Sequence, residues 1–239
     1  MRLMIDAHVH IDFYDDQAKI IRGIIMEDIS SIFVTHLPEL YEKYKSMYEN
    51  IPQIMLAIGY HPILVNEYDF NEKLFTELLS STRFIGEVGL DFTVARSEKS
   101  RIKQQYILDK ICKHSKNHIL SLHSRQAEKE VFKILIENKV EHAIFHWYTG
   151  EKDFIPNIVN AGYYFSINPS MLNTNKGRSI LKEIPLNKIL IESDGPFSKY
   201  KGNIIEPVDL RSVYNAFEMF YGISNIEELV FNNLAAIIG

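Results

Sequence analysis

The sequence predicts an α/β protein of the (β/α)8 TIM-barrel type, and three observations carry that reading. Eight short runs rich in Ile, Val and Phe recur along the chain, each followed by a longer segment of helical period. The runs are continuously apolar rather than alternating, as strands buried on both faces of a parallel sheet require. The histidines and carboxylates gather where those runs end, and the C-terminal ends of barrel strands meet at one mouth, where the fold builds its chemistry. The competing architecture, an open doubly wound sheet, lacks its glycine-rich phosphate loop after the first strand. No repeat, low-complexity tract or Pro/Ser-rich linker divides the 239 residues, so one domain is expected over 1–239.

The first run, Leu3–Ala7, leads into Asp6-Ala7-His8-Val9-His10-Ile11-Asp12. The second, Ser31–Thr35, is followed by His36, and the third, Ile54–Ile58, by Gly59-Tyr60-His61-Pro62. The fourth, Arg83–Val88, closes on Gly86-Glu87-Val88-Gly89-Leu90-Asp91, and a helix with Ile107, Leu108, Ile111 and Cys112 on one stripe comes next. His118–Leu122 ends in His123-Ser124-Arg125 and precedes a second amphipathic stripe of Val131, Phe132, Leu135 and Ile136. Glu141–Phe145 leads into His146-Trp147, Gly162–Ile167 is the seventh run, and Lys188–Ile191 leads into Glu192-Ser193-Asp194-Gly195-Pro196. Pro207 opens a helix over Val208–Tyr221 that Gly222 closes, the usual asymmetry of helix ends.

Composition narrows the function. With 26 basic and 31 acidic residues the net charge is −5, so overall basicity does not hold nucleic acid here. The one cysteine, Cys112, excludes a disulfide framework and a thiolate zinc site. An acid at Asp6 interrupts any signal-peptide core, and no apolar run approaches the roughly 18 residues of a membrane span. A cytoplasmic protein with no membrane attachment is expected.

Six of the nine histidines, His8, His10, His36, His61, His123 and His146, stand at or just past a strand end. Imidazole nitrogens and carboxylate oxygens are the donors that Zn²⁺, Mn²⁺ or Mg²⁺ take. Two residues apart on a strand, His8 and His10 face one side and can share an ion, while Glu87 and Asp194 enter from other strands. A carboxylate can bridge two ions roughly 3.5–4 Å apart, and His123 and His146 would complete a second site. Taken singly, each residue has a plainer reading: Glu87 as a helix cap, Asp194 before Gly195-Pro196 as a turn residue. Their joint placement on five strand ends is what argues for two divalent ions.

These motifs resemble, in order, those of the TatD family of metal-dependent hydrolases. The resemblance rests on His8-x-His10-x-Asp12, Gly59-Tyr60-His61-Pro62, Ile85 to Asp91, His123-Ser124-Arg125, Phe145 to Gly150 and Glu192 to Pro196, with Asn233 near the C-terminus. It implies a deoxyribonuclease in the amidohydrolase-like superfamily, acting as a 3′→5′ exonuclease on single-stranded DNA. By that likeness His8 and His10 bind one metal, Glu87 bridges, and His123 and His146 hold the other. Asp194 is then a ligand and the general base for the attacking water, and Arg125 contacts a phosphate, for which a guanidinium fork is well shaped. Asp12 and Asp91 would hydrogen-bond ligand histidines from behind, or cap helices. The Phe-His-Trp-Tyr-Thr-Gly stretch from Phe145 is also similar to TatD-like subunits of Qat anti-phage systems, which would imply partner proteins.

The sequence departs from the family pattern in places. His61-Pro62-Ile63 stands where a second histidine is common, leaving His61 as the substrate contact there. Trp147-Tyr148 replaces a Cys-Phe type pair, and Trp147 either stacks on a base or packs in the barrel rim. His36 matches no family ligand and reads as a substrate contact or as a satisfied loop histidine. Lys99, Arg101 and Lys103 either track a DNA backbone or form a solvated face. Two other functions compete: hydrolysis of a small-molecule amide or ester, or of aminoacyl-tRNA, and a non-catalytic or partner-dependent subunit. Glu87 in place of a carbamylated lysine favours phosphodiester chemistry, and the complete ligand set disfavours a degenerate scaffold.

Overall fold

The computed structural model describes residues 4–239; Met1 to Leu3, including the Leu3 that begins the first apolar run, lie outside it. Eight parallel strands follow one another in sheet order: β1 (Met4–Val9), β2 (Ile29–Val34), β3 (Ile54–Tyr60), β4 (Phe84–Asp91), β5 (Ile119–Arg125), β6 (His142–His146), β7 (Tyr164–Ile167) and β8 (Ile189–Ile191). The helices between them are α1 (Gln17–Met26), α2 (Pro38–Tyr48), α3 (Glu72–Leu78), α4 (Glu98–His114), α5 (Glu128–Glu137), α6 (Ile155–Asn160) and α7 (Asn175–Glu183). A small antiparallel hairpin, β9 (Lys199–Tyr200) with β10 (Asn203–Ile204), precedes α8 (Leu210–Tyr221) and α9 (Ile226–Ile238). This is the (β/α)8 barrel that the sequence predicts, and each of the eight apolar runs lies on one strand.

The sheet closes between its last strand and its first. The Asp194 amide donates to the His8 carbonyl at 2.9 Å, and the His10 amide to the Gly195 carbonyl at 3.0 Å. The Ser193 amide donates to Asp6 Oδ1 at 2.8 Å. One seam therefore joins the two segments richest in site residues.

Both faces of the strands are buried, as their continuous apolar sequences require: Ile58, Ile85, Leu120, Phe145, Phe165 and Leu190 are wholly inside. All four residues of the Ile107–Cys112 stripe are buried on α4. The α5 stripe is rotated from its expected position. Val131, Ile134 and Leu135 are buried and Ile136 is 48% exposed, because an i, i+3, i+4 face meets the barrel rather than adjacent pairs. Gly222 caps α8 in the left-handed region, with φ of 65°.

Parallel register is interrupted at three places, between Asp6 and Val9, between Ile58 and Tyr60, and between Ile85 and Val88. Such irregularities re-aim side chains, and His8, Gly59 and Glu87 occupy them. Gly59 has no room for a side chain: a Cβ there would stand 1.9 Å from the Thr35 carbonyl oxygen and 2.6 Å from the Glu87 amide nitrogen. The Glu87 amide itself donates to that Thr35 carbonyl at 3.1 Å.

Two outcomes follow. Gly59→Ala must push β2, β3 and β4 apart, at roughly 1–3 kcal/mol or more, so the melting temperature followed by circular dichroism falls by about 5 °C or more. Burial pushes the Cys112 thiol up to about 12, so the folded protein resists alkylation at pH 8 and labels at once in denaturant, as mass spectrometry would read.

Candidate metal centre

Glu87 lies at the middle of the barrel mouth, 1% exposed, with imidazoles around both carboxylate oxygens. Its Oε2 is 3.5 Å from His8 Nε2, 3.3 Å from His10 Nε2 and 3.2 Å from His61 Nε2. Its Oε1 is 2.6 Å from His123 Nδ1 and 3.3 Å from His146 Nε2. Asp194 Oδ1 joins the first group, 3.5 Å from His10 Nε2 and 4.0 Å from His8 Nε2. The strands thus bring together all six residues expected to hold metal. His8 and His10 share one side of β1, and the others arrive from β4, β5, β6 and the end of β8.

The donor set fits divalent cations. His8 Nε2 and His10 Nε2 face each other at 3.2 Å, both turned toward the same carboxylates, an arrangement that needs a proton or a metal ion between lone pairs. Several groups of three drawn from these residues, among them His8, His10 and Asp194, and His61, Glu87 and His123, have ligand atoms within 4.8 Å of one another. The electrostatics agree. Burial alone would raise the Glu87 carboxyl, yet His61, His146, His10 and His123 together hold it well below the usual carboxylate range. Burial pushes His8 far down, keeping its ring neutral, whereas Asp194 and Glu87 outweigh burial and pull His10 up to about 9. The cavity is built to contain positive charge.

Around this set stands a layer of supporting contacts. His8 Nδ1 is 2.8 Å from Ser121 Oγ, and His123 Nε2 is 2.9 Å from Asp91 Oδ2. His146 Nδ1 is 3.2 Å from Glu192 Oε1, which also accepts from Asn168 Nδ2 at 3.0 Å. Burial raises Glu192, and against the opposing effect of burial Glu192 and Glu87 pull His146 well above an ordinary imidazole. Asp6, pushed up to about 7 by burial, accepts from the Ser193 amide at the seam. Glu192, Ser121, Asn168 and Asp6 are absent from the set read out of the sequence. The period-two rule that paired His8 with His10 also pairs Glu192 with Asp194, Ser121 with His123 and Asp6 with His8.

The remaining expected residues fall as follows. His61 is buried, with Nδ1 accepting from the Ile63 amide at 3.2 Å, so its neutral ring presents Nε2–H to Glu87. Arg125 is exposed at the end of β5, paired across to Asp91 in the sheet register. Trp147 is half-buried against the core beside His146, with ring centres 6.5 Å apart, and holds φ of 35°, a strained value for so large a side chain. Asp194, at φ of 45°, carries similar backbone strain, the kind that collects at functional sites.

Asp12 hydrogen-bonds no ligand histidine; its nearest imidazole is His36, 3.8 Å from Oδ2. His36 is not a satisfied loop residue but is buried between His10 and His61, and its Nδ1 has no hydrogen-bond partner among the described residues. Arg101 turns back onto the Ala95 carbonyl and the Phe92 ring, and Lys103 pairs with Asp69, so neither is a free phosphate contact.

A closed parallel barrel with a cluster of histidines and acids at its mouth fits the class of metal-dependent barrel enzymes. Within that class the chain belongs to the TatD-related DNase family, whose model matches residues 5–239. It is 25% identical to human deoxyribonuclease TATDN3, the match covering 81% of this chain and 78% of that one. It is 26% identical to the metal-dependent hydrolase YabD of Bacillus subtilis, over 98% and 95% of the two chains. In fold it is similar to the TatD homologue YjjV of Escherichia coli, with a TM-score of 0.83 and 20% identity over 96% of this chain and 95% of that one.

Ser121→Ala and Glu192→Gln each remove one partner that orients a ligand histidine. Each is expected to weaken divalent-metal binding by about 10- to 100-fold without unfolding the barrel, as titration calorimetry on chelator-stripped protein would show.

Proposed function

We propose that the protein is a phosphodiesterase with two divalent ions that shortens single-stranded DNA from its 3′ end, the chain working as one unit. The observation that carries this reading is the division of imidazoles between the two oxygens of Glu87, the arrangement of a carboxylate that bridges two cations. His8, His10 and Asp194 would hold one ion and His123 and His146 the other, with Glu87 shared. Mixed nitrogen and oxygen donors suit Mg²⁺, Mn²⁺ or Zn²⁺. When bound, the ions acidify a water and neutralise charge on phosphoryl oxygens.

The chain's own groups do the rest. Asp194 accepts the proton of the attacking water; its backbone is held by the seam to β1 and its carboxylate lies beside His10 and His8. Arg125, exposed at the end of β5, would place its guanidinium fork on a phosphate, where its charge matters most as the pentavalent arrangement forms. His61 supports as a hydrogen-bond donor rather than a ligand: burial lowers its pKa and its Nδ1 is occupied, so its Nε2–H, which donates to Glu87 in the free protein, would pass to a phosphoryl oxygen once ions took up that carboxylate. A protein of net charge −5 can act on DNA because the ions supply positive charge at the mouth.

The test uses end-labelled single-stranded DNA and chelator-stripped protein given Mg²⁺, Mn²⁺ or Zn²⁺ separately. The expected result is metal-dependent shortening of a 5′-labelled strand. Glu87→Ala abolishes it, Asp194→Asn lowers the rate by at least about 10²-fold and Arg125→Ala by about 10-fold or more. A metal-bound protein that leaves the DNA intact with every ion overturns the reading.

A further inference from the structure

Of the 14 phenylalanines three are exposed, and two of these, Phe13 and Phe197, stand against each other beside the metal centre. Their ring centres are 5.1 Å apart at 62°, and both present their edges or faces to His10, at 5.9 and 5.1 Å and an interplanar angle of 80°. Phe13 also lies 4.8 Å from the His36 ring. Nearly half of each side chain, 49% and 47%, remains open to solvent, although both pack on a histidine that is 2% exposed. Burial would have been the favourable choice for so large an apolar surface.

Neither ring owes its exposure to a loose segment. Phe13 rides on a single 3₁₀ turn after β1, its amide donating to the His10 carbonyl at 3.2 Å. Phe197 lies on the turn after β8, its amide donating to the Asp194 carbonyl at 2.8 Å. Between them Gly195 is pressed against Tyr14, where a Cβ would come within 1.9 Å of the phenol oxygen, and Tyr14 donates to the Ile205 carbonyl at 2.8 Å. Two separate segments that each carry metal-site residues thus present one rigid aromatic ledge on the His10 side. Trp147 lies instead beside His146.

Resting on the phosphodiesterase reading above, we propose that Phe13 and Phe197 form the platform on which the nucleobase next to the scissile phosphate stacks. The platform makes an unpaired base, rather than the phosphate alone, part of what the site recognises. Every base has a π-face, so stacking there is tolerant of sequence, and the base must be unpaired to reach the ledge. The 5.1 Å between the rings leaves no slot for a base between them, so the base lies on their open faces.

The experiment compares Phe13→Leu, Phe197→Leu and the double variant with the unaltered protein on two oligothymidylates. One has a base at every position; the other has abasic tetrahydrofuran residues at the two terminal positions. Leucine keeps the apolar cover over His10 and removes the π-face. The unaltered protein is expected to cleave both, with KM higher by about 10-fold or more on the abasic strand. The double variant is expected to raise KM on the normal strand to the abasic value, leaving the abasic strand and kcat unchanged. In the Asp194→Asn background, a terminal 2-aminopurine should lose fluorescence on binding, and the double leucine variant should abolish that quenching. Equal losses on both strands, or none, with quenching retained, overturn the platform and leave the phosphodiesterase standing. Failure of the unaltered protein to cleave either strand overturns both.

Discussion

A carboxylate 1% exposed at the centre of the barrel mouth is the constraint on which the site depends. An ionised acid taken out of water must be compensated by charge and hydrogen bonds or give up its charge. Glu87 is compensated by imidazoles from β1, the turn after β3, β5 and β6, so one side chain ties together segments far apart in sequence. The histidines are themselves oriented by Ser121, Asp91 and Glu192, and the chain of contacts ends in backbone and amide groups of the barrel wall. The polar centre is therefore part of the architecture, and it is the part a divalent cation completes.

Much of this was legible in the sequence, for identifiable reasons. Strands buried on both faces have no polar residues to alternate, so the eight runs stood out, and barrel geometry placed their ends at one mouth. His8, His10, Glu87, His123, His146 and Asp194 could be assembled from that rule alone, while the roles of base, bridge and phosphate contact came from family resemblance. What escaped notice was whatever depends on three-dimensional detail. Glu192, just past the end of β8, reads as part of a strand end because its partner His146 is distant in sequence. His36 read as a loop residue because nothing local says that it packs between His10 and His61. The rotated α5 face shows the same limit: Ile136 is apolar but faces solvent, and only the curvature of the barrel decides it.

The breaks in strand register fall where the chemistry is. The register breaks fall at His8, Gly59 and Glu87, and left-handed backbone occurs at Trp147 and Asp194. A regular strand would point successive side chains alternately into the barrel and out to the helices. The breaks let consecutive segments of β1, β3 and β4 direct polar groups upward into the mouth instead. Gly59 is the clearest instance, a residue whose missing side chain lets the Thr35 carbonyl reach the Glu87 amide.

The seam between β1 and β8 makes one half of the site depend on a segment distant in the sequence. His8 and His10 lie far from Asp194 and Gly195 in the sequence, yet the His8 carbonyl accepts from the Asp194 amide and the His10 amide donates to the Gly195 carbonyl. Without those residues the backbone of His8 and His10 lacks these partners across the gap. A chain cut before Asp194 would keep His8, His10, Glu87, His123 and His146 but lose the backbone contacts that hold the first two against the end of the barrel.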